Sequence, residues 1–493
     1  MKIAVIGTGA AGFGVLKALE PGNHEITVFD IGEPVPEAPV LEEVTKERIA
    51  DYYDRIYRKI REKHSFKFPP PKTHFSEMLP RHPIAGRKRT LHRSESLGGL
   101  TNYWGGTMLP FTDTELERWP VTSKDLAPYY RLIAEAVGIS GRFDALNEYF
   151  KEDFCNRPPF QLVPVLSRLD EAVNRGQSDG AFTLRSGLNR CALETRDDKP
   201  NRCVHCGECL SGCFLGSIFS SRSYAADVLE RARFVKGRVT RVDPGNRAVH
   251  VGGEVHGGFD KVFLCAGCPG STEIVMRSAQ LQEVSEMDDN AVYVFPLLYL
   301  GRVDRKPPGD PYLSLTNLII GCIPNEDDLR FAQVQVYPNF DYLWRYNIPP
   351  MFWPVLRPLA RISRHRIFWA RLYVHGGISQ AYRINTSEHD VSFELAREAN
   401  PGPVAGLMDS IRGKLKGSGF SIPVRKPLHQ KANSHYAATL PYGGERIHVT
   451  PGGEVFPGVY LCDSAPFPDL PAVSLTFTIM ANACRTATEA VHD

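Results

Sequence analysis

Apolar positions near the start of the chain follow the pattern of a buried strand and then that of a helix. Lys2 to Ile6 contains four consecutive apolar residues, which predicts a short buried strand. A glycine-rich turn follows, and apolar residues then recur at helical spacing through Leu19. A second apolar segment, Glu25 to Phe29, predicts another strand. A strand, a helix and a second strand in this order indicate an α/β unit with a parallel sheet.

The turn after the first strand reads GTGAAG over residues 7–12 and has the spacing of a dinucleotide-binding fingerprint. Gly7 permits the tight turn, Gly9 lets a pyrophosphate approach the backbone, and Gly12 lets helix and strand pack closely. The helix N-terminus faces the phosphates, and Asp30 is placed to accept hydrogen bonds from a ribose diol. The predicted cofactor-binding residues of this unit are Gly7, Gly9, Ala10, Ala11, Gly12 and Asp30. The fingerprint alone does not separate FAD from NAD.

Patterning further along the chain predicts more helices and strands. Helices are expected over 42–64 and 126–137, the second with Ser123 as its N-cap. The expected strands of the later part of the chain are 291–300, 315–323 and 331–337. Helices and strands thus alternate less regularly beyond residue 287 than in the first unit.

The segment 341–374 is amphipathic and rich in basic and aromatic residues. From Pro358 onward its spacing predicts a helix. The apolar side would consist of Leu359, Ile362, Ser363, Ile367 and Ala370, and the basic side of Arg361, Arg364, His365 and Arg371. Such a helix either lies in a membrane interface or contacts a lipid-linked substrate, or it serves as a lid, a subunit contact or an ordinary packed surface helix.

Composition changes this picture little. The chain has 493 residues, 42% of them hydrophobic, which fits a globular protein of two or three domains. Its formal net charge of +2 argues neither for nor against nucleic acid, and no nucleic-acid partner is expected. We expect a cytoplasmic protein, peripheral to the membrane at most, because the first residues lack signal-peptide features and no apolar run approaches a membrane span. A basic stretch within about 36–95 is either a solvated insertion or a site for an anionic substrate or electron partner.

Four of the eleven cysteines are close together in sequence. Cys203, Cys206, Cys209 and Cys213 have spacings at which thiolates converge on one soft metal centre. In the bacterial ferredoxin pattern the fourth cysteine binds a second cluster and is followed by proline. Here Phe214 follows Cys213, and the sequence has no second run of cysteines. The pattern therefore predicts a single 3Fe–4S or 4Fe–4S cluster. A zinc-stabilised loop and a loop of free thiols are the alternatives.

Several separate motifs resemble those of the glucose-methanol-choline (GMC) flavin oxidoreductases. They are the fingerprint, the glycine–tryptophan loop 98–106, the segment 119–141, the segment 262–272 and the stretch from Ser434 to the C-terminus. The resemblance covers about half of the chain and preserves the order of the motifs in the family. It implies an α/β (α+β) fold with a Rossmann-like FAD-binding domain and a substrate domain of sheet and helices.

By this resemblance the cofactor is FAD. The implied contacts beyond the fingerprint are Gly98, Gly99, Asn102, Trp104, Val239, Ala266, Asp463, Ser474 and Leu475. Some family members bind flavin covalently through a histidine of the glycine–tryptophan loop. Asn102 and Tyr103 stand there in this chain, so non-covalent FAD is expected.

The resemblance also implies the catalytic residues. His435 matches the active-site histidine of the family, and a neutral imidazole is suited to take the proton of a hydroxyl group. Ser474 stands where the family has a second histidine or an asparagine, and a serine can hold a substrate oxygen but is not a base near neutral pH. His435 would therefore be the only base.

These observations predict an enzyme that oxidises a CH–OH group of a sugar, polyol or other secondary alcohol, lipid-linked or from a natural product, to a carbonyl. An electron-acceptor protein or a quinone would reoxidise it. An FAD oxidase that uses O2 and a non-catalytic redox-sensing flavoprotein are the alternatives. The expected division is 1–286 for FAD binding, including a cysteine-rich loop at about 190–220, 287–430 for the substrate, and 431–493 for a return to the FAD domain.

Overall fold

The computed structural model describes residues 1–20, 22–33, 81–84, 90–175, 180–209, 213, 215–303, 313–326, 330–339, 349–386, 391–430 and 434–492. The helix expected over 42–64 lies outside these residues, as does most of the basic stretch. Of that stretch, the side chain of Arg93 is described, and it pairs with Glu273 at 3.2 Å.

The secondary structure is mixed throughout the described residues. The helices are α1 Ala10–Leu19, α2 Ser123–Val137, α3 Asn147–Phe150, α4 Pro164–Asn174, α5 Ser221–Leu229, α6 Cys268–Ser278, α7 Trp353–Ser363, α8 Gly402–Leu415 and α9 Thr476–His492. The strands are β1 Lys2–Ile6, β2 Glu25–Asp30, β3 Arg81–Pro83, β4 Thr90–His92, β5 Phe182–Leu188, β6 Arg233–Lys236, β7 Val239–Val242, β8 Val249–Val251, β9 Glu254–His256, β10 Lys261–Leu264, β11 Glu283–Asp289, β12 Val292–Tyr299, β13 Leu318–Pro324, β14 Ala332–Pro338, β15 Ile367–Tyr373, β16 Gln380–Thr386, β17 Val391–Arg397, β18 Phe420–Ser421, β19 Leu428–Gln430, β20 Tyr436–Ala437, β21 Glu454–Phe456 and β22 Val459–Leu461.

A six-stranded sheet in the order β21-β22-β10-β1-β2-β6 contains the first strand of the chain. The strands from β22 to β6 are parallel, and β21 is antiparallel to β22. Ile3, Ala4 and Val5 of β1 are completely buried because helices and loops cover both faces of a parallel sheet. Ile3 and Val5 pack with α1 and α9, and Ala4 packs in the cluster that includes α6.

A seven-stranded antiparallel sheet lies in the later part of the chain, in the order β18-β12-β15-β14-β13-β5, with β19 also paired to β12. Alternate side chains of its strands point to opposite faces. One face packs on α4 and α8 through an apolar cluster. The other face packs toward the chain segment that leads into α9. β5 joins this sheet from the first part of the chain.

A third sheet has four strands, in the order β17-β16-β11-β20. Its shortest strand, β20, begins one residue after His435 and pairs with the end of β11, where Asp289 is opposite Tyr436. The position of His435 is therefore fixed by strand pairing on its C-terminal side.

The three strands expected over 291–300, 315–323 and 331–337 are confirmed as β12, β13 and β14, with shifts of one to three residues at their ends. The expected helix 126–137 is confirmed, but its N-cap is Thr122 and Ser123 is its first residue. Thr122 and Asp125 form a reciprocal capping box, which satisfies two backbone amides that the helix leaves unpaired.

The helix expected from Pro358 is only partly correct. α7 begins earlier, at Trp353, and ends at Ser363. Ile367, Ala370 and Arg371 are not helical, because residues 367–373 form strand β15 between β12 and β14. The alternation of buried and less buried residues in Ile367–Tyr373 has the period of two expected for a strand, which the helical interpretation did not take into account. Within the described residues, no helix is long and apolar enough to cross a membrane.

Candidate functional site

Four of the predicted cofactor-binding residues lie at one edge of the six-stranded sheet. Gly7 follows β1, Asp30 ends β2, Ala266 follows β10 by two residues, and Asp463 follows β22 by two residues. These strands are parallel, so their carboxyl ends meet at the same edge. That edge is where open α/β sheets bind ligands.

The fingerprint turn has the close contacts that require glycine. Gly7 has φ +100°, and a Cβ atom there would lie 2.5 Å from the carbonyl oxygen of Cys265. A Cβ at Gly12 would lie 2.1 Å from the carbonyl oxygen of Gly7, so helix α1 packs directly on the turn. A Cβ at Gly9 would instead have Gly99 as its nearest neighbour, at 3.9 Å. Gly9 thus leaves an open approach to the backbone at the N-terminus of α1, as a bound pyrophosphate requires.

Asp30 holds the turn in place. Its Oδ2 accepts hydrogen bonds from the amide of Thr8 at 2.9 Å and from the Thr8 hydroxyl at 2.7 Å, and its Oδ1 accepts one from the amide of Gly32. Burial raises the pKa of Asp30, and these hydrogen bonds oppose that rise. Each carboxylate oxygen has more than one acceptor position, so the predicted contact with a ribose diol is compatible with this role.

The loop predicted to lie along a flavin crosses above the fingerprint turn. The amide of Gly98 donates to the Thr8 hydroxyl at 2.9 Å, and a Cβ at Gly99 would lie 3.1 Å from the Cα of Gly9. Residues 99–102 form a short 3₁₀ helix. Asn102 donates to the carbonyl oxygen of Leu97 and accepts from the Ser220 hydroxyl. Trp104 donates to the carbonyl oxygen of Phe219 at 2.7 Å. The loop is therefore rigid and at backbone distance from the turn.

Asp463 is the second acid at this edge, and it is completely buried. Its carboxylate accepts hydrogen bonds from the Ser271 hydroxyl and from the amide of Ala465, and Ser271 in turn accepts one from the amide of Ala266. Burial raises the pKa of Asp463 to about 6. Val239, the remaining predicted contact with the nucleotide, begins β7 just after the end of β6, and β6 lies beside β2.

His435 lies under the seven-stranded sheet. Its ring is 5.7 Å from the ring of Tyr373 on β15, and its Nδ1 is buried without a hydrogen-bond partner in the described part of the chain. Burial and the positive charge of Arg371 lower the pKa of His435 to about 4. The imidazole is therefore neutral near pH 7 and able to accept a proton, as the sequence predicts for a base.

Ser474 lies against the same face of the sheet. Gln335 on β14 donates to the Ser474 hydroxyl at 3.4 Å, and Gln333 donates to the carbonyl oxygen of Ala472 at 2.7 Å. Leu475 is buried, and its carbonyl oxygen accepts the amide of Ile479 in the first turn of α9. His435 and Ser474, the two predicted catalytic residues, are 39 positions apart in sequence but both lie next to the seven-stranded sheet.

Sequence reasoning missed three side chains of this face: Gln335, Arg371 and Tyr373. Gln335 is opposite Arg371 in the pairing of β14 with β15, and Tyr373 is two residues further on the same face. The signal that was available is the alternation of polar and apolar residues in β14, where Gln333 and Gln335 interrupt an otherwise apolar strand.

The four cysteines of the run lie within the described residues and are at least partly buried. Burial and neighbouring cysteine thiols raise the pKa of Cys203 to about 12 and that of Cys209 well above its ordinary value. No group of three or more Cys, His, Asp or Glu side chains in the described ranges is arranged to hold a metal ion. Neighbouring thiols among Cys203, Cys206, Cys209 and Cys213 interact with one another. An iron–sulfur cluster on them stays a prediction.

Comparison with known proteins gives a match in structure but not in sequence. Neither a protein-family model nor a curated protein sequence matches the chain. Pyridoxine 4-oxidase from Mesorbium loti matches with a TM-score of 0.60 at 13% identity, over 100% of this chain and 99% of its own. Two structures of formate oxidase from Aspergillus oryzae RIB40, which concern arginine mutations and FAD modification, match with TM-scores of 0.61 and 0.60 at 13% identity, over 99% of this chain and 98% of theirs.

Both kinds of neighbour are GMC oxidoreductases, and both are covered over almost their whole length. At this level of identity the likeness concerns the fold. The chain therefore has the mixed α/β fold of the glucose-methanol-choline oxidoreductases, as its sequence motifs predict.

Proposed function

We propose that this protein is an FAD-dependent oxidoreductase that oxidises a CH–OH group to a carbonyl, with His435 as the base. One observation carries the proposal. A GMC fold with an open dinucleotide fingerprint also contains a neutral imidazole, His435, whose Nδ1 has no partner within the described residues. Buried polar groups are normally hydrogen-bonded, so an unpaired imidazole nitrogen is an expected feature of a site that binds a polar ligand.

The residues around the fingerprint would hold FAD without a covalent bond. Bound FAD supplies the acceptor for the hydride of the alcohol carbon. His435 takes the proton of the hydroxyl group, because its depressed pKa keeps it neutral and able to accept at neutral pH. Ser474 accepts a hydrogen bond from Gln335, which leaves the serine proton available for the substrate oxygen.

Replacement of the base tests this proposal directly. We expect His435→Asn to retain flavin but to reduce it with alcohol about 10²–10⁴ times more slowly, the usual contribution of a general base. The matched control is His448→Asn, because His448 is exposed and outside the site. Equal rates of flavin reduction in both variants and in the wild type would show that His435 is not the base.

The electron acceptor distinguishes the proposal from its nearest alternative. Both neighbours are named as oxidases, which supports O2 as an alternative to a protein or quinone acceptor. Turnover with stoichiometric hydrogen peroxide would identify an oxidase. Turnover only with an added quinone or another artificial acceptor would identify a dehydrogenase, and flavin that no alcohol reduces would favour the redox-sensing alternative.

We also propose that α7 docks on an anionic membrane surface. Five apolar side chains of residues 351–362 are exposed, among them Met351 at 75%, Val355 at 76% and Ile362 at 59%. The sequence 349–366 contains four arginines and a histidine but no acidic residue. An apolar helix face surrounded by positive charge complements anionic lipid headgroups above an acyl layer. The end of α7 is connected to the seven-stranded sheet through Asn339, which forms hydrogen bonds with both Ser363 and Trp369.

Vesicle co-sedimentation tests this docking. We expect the protein to bind phosphatidylcholine vesicles that contain phosphatidylglycerol, and the double variant Val355→Asp/Ile362→Asp to lose that binding. Phe143→Asp is the matched control, because Phe143 is also exposed, at 69%, but lies far from α7 in sequence and belongs to another segment. Absence of vesicle binding by the wild type, or equal binding by both variants, would contradict the proposal.

A further inference from the structure

We infer that the substrate carries an anionic oxygen group, a carboxylate or a phosphate, that pairs with Arg371 beneath the seven-stranded sheet. The inference rests on the proposed function, because it takes His435 as the point where the reacting hydroxyl lies. It assigns a specificity-determining role to a residue that the sequence pattern places on the outside of a helix.

Strand pairing directs Arg371 toward the site. Arg371 lies on β15 opposite Gln335 of β14 and opposite Val294 of β12, so the three side chains share one face of the sheet. Gln335 reaches Ser474 from that face. Tyr373, two residues along β15, brings its ring to 5.7 Å from the ring of His435. The guanidinium of Arg371 therefore faces the same space as the two predicted catalytic residues.

Arg371 has polar neighbours but no acidic one within the described residues. Its Nη2 donates to Gln430 at 3.2 Å, its guanidinium carbon is 5.2 Å from the centre of the Tyr373 ring, and the Tyr337 hydroxyl is within hydrogen-bonding reach. Its Nε is buried without a hydrogen-bond partner. One aromatic face, a tyrosine hydroxyl and a glutamine orient the guanidinium but do not neutralise its charge.

Other buried arginines of this protein have the acidic partner that Arg371 lacks within the described residues. Arg190 pairs with Asp144 at 2.9 Å, and Arg93 pairs with Glu273 at 3.2 Å. Buried charges are normally paired because removal of an ion from water costs several kcal/mol. Arg371 departs from this rule at a place where a substrate would bind. A carboxylate or phosphate would satisfy the free Nε–H and an adjacent Nη–H in a bidentate manner.

The two ends of the site limit the shape of the substrate. Arg371 and His435 both lie next to the ring of Tyr373, so the anionic group and the reacting hydroxyl belong to one small molecule. Hydroxy acids, sugar acids and sugar phosphates satisfy this condition. The anionic group would not be altered in the reaction: bound FAD would supply the acceptor for the hydride of the alcohol carbon, and His435 would take the hydroxyl proton.

Pairing with an anion would also assist the base. The positive charge of Arg371 disfavours protonation of His435. A bound carboxylate or phosphate offsets that charge, so the imidazole becomes more basic once the correct substrate is in place. A neutral alcohol binds without this benefit, which favours anionic substrates in kcat as well as in KM.

The test compares substrates that differ only in the anionic group. The panel contains sugar acids, sugar phosphates and the corresponding neutral polyols, each assayed by flavin reduction with wild type, Arg371→Gln and Arg371→Lys. We expect the wild type to prefer one anionic class, and Arg371→Gln to lower its kcat/KM about 10²-fold or more, because loss of one partner of a buried charge pair is costly. Arg371→Lys should recover part of the loss, since it restores the charge but not the planar fork.

Two controls separate this inference from a structural role and from the proposed function. The flavin content of each variant reports folding, and Arg446→Gln removes an exposed arginine that lies outside the site and bonds a backbone carbonyl. Preference for carboxylates or for phosphates identifies which anion is bound. If wild type reduces flavin only with neutral alcohols, and Arg371→Gln leaves their kcat/KM unchanged, the inference fails while the proposed function stands. If no alcohol reduces the flavin, the proposed function itself fails.

Discussion

The proposed reaction depends on the protonation state of one residue, His435. Burial and the nearby Arg371 both lower the pKa of this imidazole, to about 4. A histidine with such a pKa is neutral over the ordinary pH range and does not need to lose a proton before it acts as a base.

The pH dependence of the free enzyme follows from this pKa. Since the active form of His435 is the neutral one, kcat/KM should fall only as the pH decreases toward about 4 and not near 6.5, the ordinary value for histidine. Arg371→Gln removes one of the two causes of the shift, so its acidic limb should move to higher pH. A pH profile of flavin reduction for both proteins measures where kcat/KM falls on the acidic side. A fall near pH 6.5 in the wild type would contradict the lowered pKa of His435.

A substitution at Gly9 tests the proposed FAD binding separately from folding. A Cβ atom at this position has no protein atom closer than 3.9 Å, and its backbone angles, φ −68° and ψ −160°, suit any residue. Gly9→Ala should therefore unfold at nearly the same denaturant concentration as wild type but bind FAD much more weakly, because the methyl group occupies the approach of the pyrophosphate.

Titration of the folded apoprotein with FAD measures the effect of this substitution on FAD affinity. Gly406→Ala is the matched control, since Gly406 is exposed on α8 with no atom near its added methyl group, and we expect it to leave FAD affinity unchanged. If Gly9→Ala binds FAD with normal affinity, the pyrophosphate does not lie next to Gly9.

At the residue scale, the local geometry of the fingerprint turn could be predicted from the sequence. Gly7 and Gly12 have the close contacts that the fingerprint requires, since those contacts are formed within one turn and the strand beside it. Arg371 was misplaced because its role depends on pairing with β12 and β14, which are distant in sequence. The roles of the predicted flavin contacts and of Ser474 stay predictions.

At the scale of elements, boundaries were the main error, and each has a physical cause. α2 begins one residue after Thr122, because that side chain and Asp125 cap each other. The expected helix after Pro358 combined two elements, α7 and β15, whose short lengths allow an apolar pattern to be interpreted with either period.

The capping box of α2 can be tested separately from the site. Thr122→Ala removes the side-chain oxygen that accepts the amide of Asp125, and we expect it to lower the free energy of unfolding by about 1 kcal/mol. Thr122→Ser keeps the oxygen and should retain most of that stability. Denaturant unfolding of both variants measures the difference, and an equal loss in both would mean that the cap does not stabilise α2.

At the scale of the whole molecule, the two ends of the chain form one structure. Helix α1 at the N-terminus packs on α9 at the C-terminus, and the six-stranded sheet takes strands from residues 2–30, 233–264 and 454–461. The sequence motifs predicted the class of fold. They did not predict that β5 joins the seven-stranded sheet, because strand order among distant segments leaves no local signal.

A substitution at Gly14 tests the packing of α1 on α9. A Cβ at Gly14 would lie 2.3 Å from the carbonyl oxygen of Met480, so α1 and α9 approach each other at backbone distance. Gly14→Ala should destabilise the protein by about 1–3 kcal/mol through overpacking. Gly406→Ala, in an open helical position, should be neutral or slightly stabilising. Thermal unfolding of both variants compares the two effects, and an unchanged midpoint for Gly14→Ala would show that the helices separate easily.

The proposed function requires that this protein binds FAD and reduces it with an alcohol. The most direct measurement is the visible absorption spectrum of the protein purified without oxygen, recorded before and after addition of the alcohol panel. We expect flavin bands that bleach when an anionic alcohol is added. Denaturation should release the flavin, as for a non-covalent cofactor. Absence of flavin from every preparation, or flavin bands that no alcohol bleaches, would contradict the proposed function.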